Sequence, residues 1–122
     1  MARANDFTEL IMWQKASEIL RETANDIEAM PDGMKSRRVG DQLFRSVSSI
    51  SANIAEGFGK RSKREMAQGC IVARGEVDES RNWYYQCGNL NLLPAQVVSA
   101  RSASLIEVRK MISAFVAQLK QH

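Results

Sequence analysis

Apolar residues recur every three or four positions along most of this chain, and no stretch alternates with the period of two that marks a strand. Glycine and proline cut the pattern into four pieces. The first predicts a helix from about Thr8 to Met30, with Leu10, Trp13, Ser17, Leu20, Ala24 and Ile27 on one face and Phe7 just before its start. The sequence "MPDGM" ends it, because Pro31 cannot continue a helix and Asp-Gly favours a turn. The second runs from about Ser36 to Gly57, where Val39, Leu43, Val47, Ile50 and Ile54 fall within an arc of about 80°. The third starts at "SKRE", with Ser62 as N-cap and Glu65 as its capping-box partner. It continues to about Asn89 through Met66, Cys70, Ala73, Val77, Tyr84 and Cys87. The fourth opens at Pro94, a favoured first-turn residue, and carries Val97, Leu105, Val108, Ile112, Phe115 and Leu119. Leu93, preceding the proline, is expected to be extended.

Amphipathic helices joined by short corners bury their stripes by antiparallel packing. The pattern therefore predicts an all-α fold, an antiparallel up-down-up-down four-helix bundle, with residues 1–122 as a single domain. A chain of 122 residues can bury a core without metal or disulfide staples. No apolar run approaches the roughly 18 residues that suggest a membrane span. The stretch "MARANDFTEL" has no apolar core of a secretory signal, so the expected location is the cytoplasm. Cys70 and Cys87 sit on the same expected helix, about 25 Å apart along its axis. That is too far for a disulfide, and both are expected to be buried thiols.

The net charge of +3 conceals an uneven distribution. Residues 1–34 hold three basic and seven acidic side chains, and residues 35–74 hold nine basic and three acidic. The positive segment is where phosphates or an acidic partner would be drawn. Its densest part, "GFGKRSKRE" from Gly57 to Glu65, sets four cations beside two glycines. A phosphate-cradling loop needs a strand before its glycines, whereas the residues before Gly57 have helical spacing. The stretch therefore reads as a helix corner, with Gly57 or Gly59 expected in the left-handed conformation that closes a helix. Lys60, Arg61, Lys63 and Arg64 at this corner are candidate phosphate contacts, as are Lys35, Arg37 and Arg38 at the start of the second helix. About 30 Å of helix separates the two groups, so they cannot form one patch on one chain.

Beside the apolar stripe of the second helix, Arg45, Ser49, Asn53 and Glu56 share another arc. Glu65, Glu76 and Glu79 flank the stripe of the third, with Val72 and Trp83 between them. Two readings stand. One is a partly buried polar network between helices or subunits. The other is an active site with paired carboxylates and Arg45. The lack of an evident nucleophile–base pair favours the network. No metal or cofactor is expected. The single histidine is His122, the last residue, and Glu76-x-x-Glu79 lacks the imidazole of a di-iron bundle. No Cys/His cluster has zinc spacing, and no G-x-S-x-G elbow occurs.

Phe7, Leu10, Trp13 and Ala16, then "QLFRSVSSISANIAEGFGKRSKRE" from Gln42 to Glu65, then "IVARGEVDES" from Ile71 to Ser80, carry a resemblance. They resemble the four-helix bundle family whose members include proteins encoded in intervening sequences of bacterial 23S ribosomal RNA genes. The likeness spans nearly the full chain, and "NIAEG" followed by R-S-x-x-E is its most specific part. The family's usual proline near Ser51 and Gly-Ser near Gly75-Glu76 do not occur here. The resemblance implies a compact bundle that assembles into a ring, often a pentamer, with no established catalytic activity. The chain is also similar in architecture to the accessory variability determinant protein of diversity-generating retroelements, a basic ring that works with a reverse transcriptase and RNA. The expected function is thus a non-enzymatic homo-oligomeric binding or scaffold protein. It would contact RNA or DNA, or a ribonucleoprotein partner such as a reverse transcriptase, through basic helix ends. A protein–protein adaptor without nucleic-acid binding is the alternative.

Overall fold

The computed structural model describes residues 4–120 and contains four α-helices: α1 Ile11–Glu28, α2 Met34–Phe58, α3 Lys63–Asn89 and α4 Ala95–Lys120. Each helix packs on the next, and α1 closes the square against α4. Cross-helix pairs fix the antiparallel order: Arg45 with Glu79 and Gly57 with Gly69 join α2 to α3, and Asp78 with Arg109 joins α3 to α4. Leu43, Val47, Ile50 and Ile54 from α2 meet Cys70, Ala73, Val77 and Tyr84 from α3 and Leu105, Val108 and Ile112 from α4 in the core. The apolar stripes expected for α2 and the middle of α4 are thus the ones buried. Among the described residues no helix is long and apolar enough to cross a membrane.

The start of α1 departs from expectation. A 3-10 turn, Phe7–Glu9, comes first, and Asp6 caps it by accepting from the Thr8 amide at 3.3 Å while Glu9 accepts from the Asp6 amide at 2.9 Å. Leu10 is then extended (φ −75°, ψ 125°), which delays α1 to Ile11. The buried face of α1 is also rotated from the expected one. Met12, Ala16, Ile19, Thr23 and Asp26 point inward, while Leu10, Trp13, Leu20 and Ile27 pack at the margin of the core. Two polar residues occupy the inward face because partners on α3 and α4 meet them there.

The corner between α2 and α3 holds a second correction. Gly59 has φ −78°, and neither Gly57 nor Gly59 is left-handed; among the described residues, positive φ occurs at Gly33 and Asn91. Gly57 is inside α2, buried against Gly69 of α3. A Cβ on Gly57 would lie 3.1 Å from the Met66 carbonyl oxygen and 3.2 Å from the Gly69 Cα. The glycine is needed for close backbone approach, not for a turn. Ser62 does cap α3, accepting from the Glu65 amide at 3.1 Å. The Glu65 carboxylate accepts from the Ser62 hydroxyl at 3.0 Å, so the reciprocal bond goes to the side chain.

Candidate nucleic-acid interface

Lys60, Arg61, Lys63 and Arg64 are all exposed, the first two in the α2–α3 corner and the others in the first turn of α3. The corner gives them this exposure because the two helices meet backbone to backbone just below it. Lys60 lies 3.7 Å from Glu56, one turn back, and turns into the groove between α2 and α3 beside Glu65. Lys63 and Arg64 turn the other way. They line an open groove of about 310 Å³ between α3 and α4, floored by Ala67, Ile71 and Leu119. Lys120, in the last turn of α4, lines the same groove. Arg61, Lys63, Arg64 and Lys120 have no ion pair among the described residues.

Lys35, Arg37 and Arg38 are exposed at the opposite end, in the first turns of α2. Arg37 shares a groove with Glu28, Asp32 and Asp41. That end holds three carboxylates and three cations, none of the cations ion-paired among the described residues. The corner end sets five cations, Lys120 included, against Glu56 and Glu65. The structure separates the two groups and makes them electrically unequal.

Residues 8–114 match the family model described as the 23S rRNA-intervening sequence protein. This chain belongs to that family. Among solved structures, it is similar to a crystal structure from Bacteroides thetaiotaomicron described as a protein with unknown function from the S23 ribosomal protein family. The TM-score is 0.81 at 19% sequence identity, covering 87% of this chain and 98% of that one. That likeness shows the shared fold. No curated protein matches the chain.

In this intervening-sequence family protein, only part of the expected polar arc crosses between helices. Arg45 pairs with Glu79 and lies 3.8 Å from Glu76, and the Trp83 indole N–H donates to Glu79 at 3.2 Å. The Ser49 hydroxyl and the Asn53 amide instead donate to carbonyls one turn back in α2, at 2.8 and 2.7 Å. Glu56 serves Lys60. The Arg45 side chain is 50% exposed, so the pair bridges α2 and α3 near the surface. Glu76 is the more enclosed carboxylate. Burial raises its pKa, the neighbouring Glu79 raises it further, and its Oε1 has no hydrogen-bond partner.

The most enclosed polar cluster of this family member was not legible in the sequence. Arg101 of α4 grips Asp26 of α1 with two N–H donors, Nε to Oδ2 at 2.8 Å and Nη2 to Oδ1 at 3.1 Å. The Tyr84 hydroxyl of α3 donates to Asp26 Oδ2 at 2.7 Å and lies 2.8 Å from Thr23 Oγ1. Ser80 donates to Ser46 at 2.9 Å lower in the core. Polar residues at 23 and 26, spaced one turn apart inside a helical stretch, were the available signal. Cys70 and Cys87 are free and buried, and burial pushes both thiols up to about 11. Among the described residues no group of three His, Cys, Asp or Glu side chains could hold a metal ion. His122 lies outside the described residues.

Proposed function

We propose that this protein is a non-enzymatic, homo-oligomeric binding module that holds phosphate backbones at its α2–α3 corner, in free nucleic acid or in a ribonucleoprotein partner. The observation that carries the reading is the imbalance of that corner: five exposed cations stand there against Glu56 and Glu65, whereas three cations share the opposite end with Glu28, Asp32 and Asp41. The start of α3 adds a favourable dipole for anions. The Lys35 end, where carboxylates neighbour the cations, contributes less. Exposed Phe44 on α2 and Val72 on α3, 47% and 44% accessible, support self-association through the α2–α3 side. A closed ring, with five subunits as the expected number, would repeat the corner around an axis and raise avidity.

Filter retention of duplex RNA and DNA against salt tests this reading. Binding should fall with a log–log slope of about −0.9 per neutralised duplex phosphate. Replacing Lys60, Arg61, Lys63 and Arg64 together with glutamine should flatten the slope and weaken all sequences alike. No retention of either duplex at low salt overturns the reading. The apolar Phe44 and Val72 would then favour a protein–protein adaptor.

A further inference from the structure

The seam between α3 and α4 continues the basic corner along the length of the bundle. Arg74, Asp78, Arg81 and Tyr85 follow one another on α3 at helical spacing, facing Ser113, Arg109 and Ser102 on α4. Three guanidiniums line this seam, and two of them share its carboxylate. Arg81 and Arg109 both reach Asp78, at 3.5 and 3.2 Å, and Arg74 instead donates to the Ser113 hydroxyl at 3.1 Å. Each guanidinium has more N–H donors than these contacts use. The excess positive charge is therefore not cancelled within the fold.

The far end of the row differs in kind. Tyr85 is 50% exposed, and the Arg81 guanidinium lies 5.9 Å from its ring centroid. The Tyr85 hydroxyl is pinned 2.9 Å from Ser102 Oγ, which holds the ring in place while leaving it accessible. Tyr85 and Ser102 also form one wall of an open groove of about 1000 Å³, with Val98, Leu92 and Ile106 on its apolar surface and Asn89 and Asn91 at its edge. Along α3, Lys63 to Tyr85 spans about 33 Å.

We propose that the α3–α4 seam is a track for single-stranded nucleic acid. Phosphates run along Arg74, Arg109 and Arg81, and a base stacks on Tyr85 at the mouth of the apolar groove. A groove of cations ending in an aromatic platform is what a single strand uses, because its bases are free to leave the backbone. A duplex keeps its bases stacked inside and has no use for Tyr85. The track extends the proposed corner interface, since Lys63, Arg64 and Lys120 stand at its other end, but its charge and its aromatic are separate from that corner.

Fluorescence anisotropy with labelled oligouridylate and oligothymidylate tests the track, the two probes distinguishing RNA from DNA as its ligand. The parent protein should bind a single strand with a log–log salt slope of about −0.7 per phosphate contacted. The double variant Arg74→Gln/Arg109→Gln should bind about tenfold or more weakly. Tyr85→Leu should also lose about tenfold, whereas Tyr85→Phe, which keeps the ring, should bind like the parent. Because the arginines also tie α3 to α4, a gain-of-signal variant guards against a folding artefact. Tyr85→Trp should show fluorescence quenching on adding oligonucleotide beyond that of the parent. If the double variant is folded by circular dichroism and binds as the parent does, or if Tyr85→Trp is not quenched, the track is wrong. Duplex binding with no single-strand binding overturns the track and leaves the corner reading standing. Single-strand binding untouched by the quadruple corner variant does the reverse.

Discussion

Gly69 lies so close to Gly57 that a Cβ on Gly69 would stand 2.7 Å from the Gly57 Cα. The obstructing atom is backbone, so no side-chain rotation can relieve it. Gly69→Ala should therefore destabilise the bundle by about 1–3 kcal/mol of overpacking, offset by about 1 kcal/mol of helix propensity. Gly75, in the same helix, has nothing within 4 Å of its would-be Cβ. Gly75→Ala should stabilise by about 0.5–1 kcal/mol. Thermal melts of the two variants should move in opposite directions.

Asp26 is the hub of three helices. Asp26→Ala leaves the Arg101 guanidinium partly buried with Glu22, 3.6 Å from its Nη1, as its remaining carboxylate, and leaves the Tyr84 hydroxyl with Thr23 alone as its partner. A loss of about 3–5 kcal/mol is expected from breaking one side of a buried pair. Tyr84→Phe removes a single hydroxyl and should cost about 1 kcal/mol. Urea unfolding of both variants checks the ranking, and equal midpoints for Asp26→Ala and Tyr84→Phe would contradict it.

Arg45 should matter much less. Its half-exposed pairing with Glu79 and Glu76 falls in the surface class, so Arg45→Ala should cost no more than about 1 kcal/mol.

Glu76 gives a pH test. Burial raises its folded-state pKa above the ordinary carboxylate value of 4.5, so the native state holds this proton more tightly than the unfolded chain. The sign follows from linkage: this group favours folding as pH falls from above its folded value towards about 4.5, and opposes it when ionised. Glu76→Gln should be more stable than the parent at neutral pH, and the gap should shrink on acidification through that window. Chemical denaturation at several pH values reads it.

Both thiols should be silent in the native protein. Cys70 and Cys87 are essentially inaccessible, and burial holds each thiol near 11, above its ordinary value. A disulfide-exchange reagent at mildly alkaline pH should titrate neither in the folded protein and both in denaturant.

Self-association has its own readout. Light scattering at micromolar concentration should give a mass well above one chain, and Phe44→Arg should lower it. A monomeric parent would remove the ring from the proposal.

The sequence foretold α2 and α3 well, because their apolar positions repeat without interruption and Ser62 marks the start of α3 plainly. It foretold α1 less well. There the inward face contains Thr23 and Asp26, which a hydrophobic pattern assigns to solvent, so the expected stripe fell on Leu10, Trp13, Leu20 and Ile27 at the margin. Gly57 looked like a helix end because the signal for a left-handed cap and for close helix contact is the same letter. The corner cations were plain in one run of sequence. Lys120 and the arginines of the α3–α4 seam were not, since no local pattern tells which distant helix a cation will join.

The placement of Asp26 also bears on the order in which the molecule comes apart. α2, α3 and α4 share the large apolar residues, whereas α1 brings Met12, Ala16 and Ile19 and then two polar side chains. Among the four helices α1 holds the fewest fully buried apolar side chains, and amide hydrogens exchange fastest where local opening is cheapest. The bundle is thus a three-helix body with α1 latched onto it at Asp26 by Arg101 and Tyr84, beside the margin formed by Leu10, Trp13, Leu20 and Ile27. Releasing that latch would expose the inner faces of α2 and α4 without dissolving the rest of the protein.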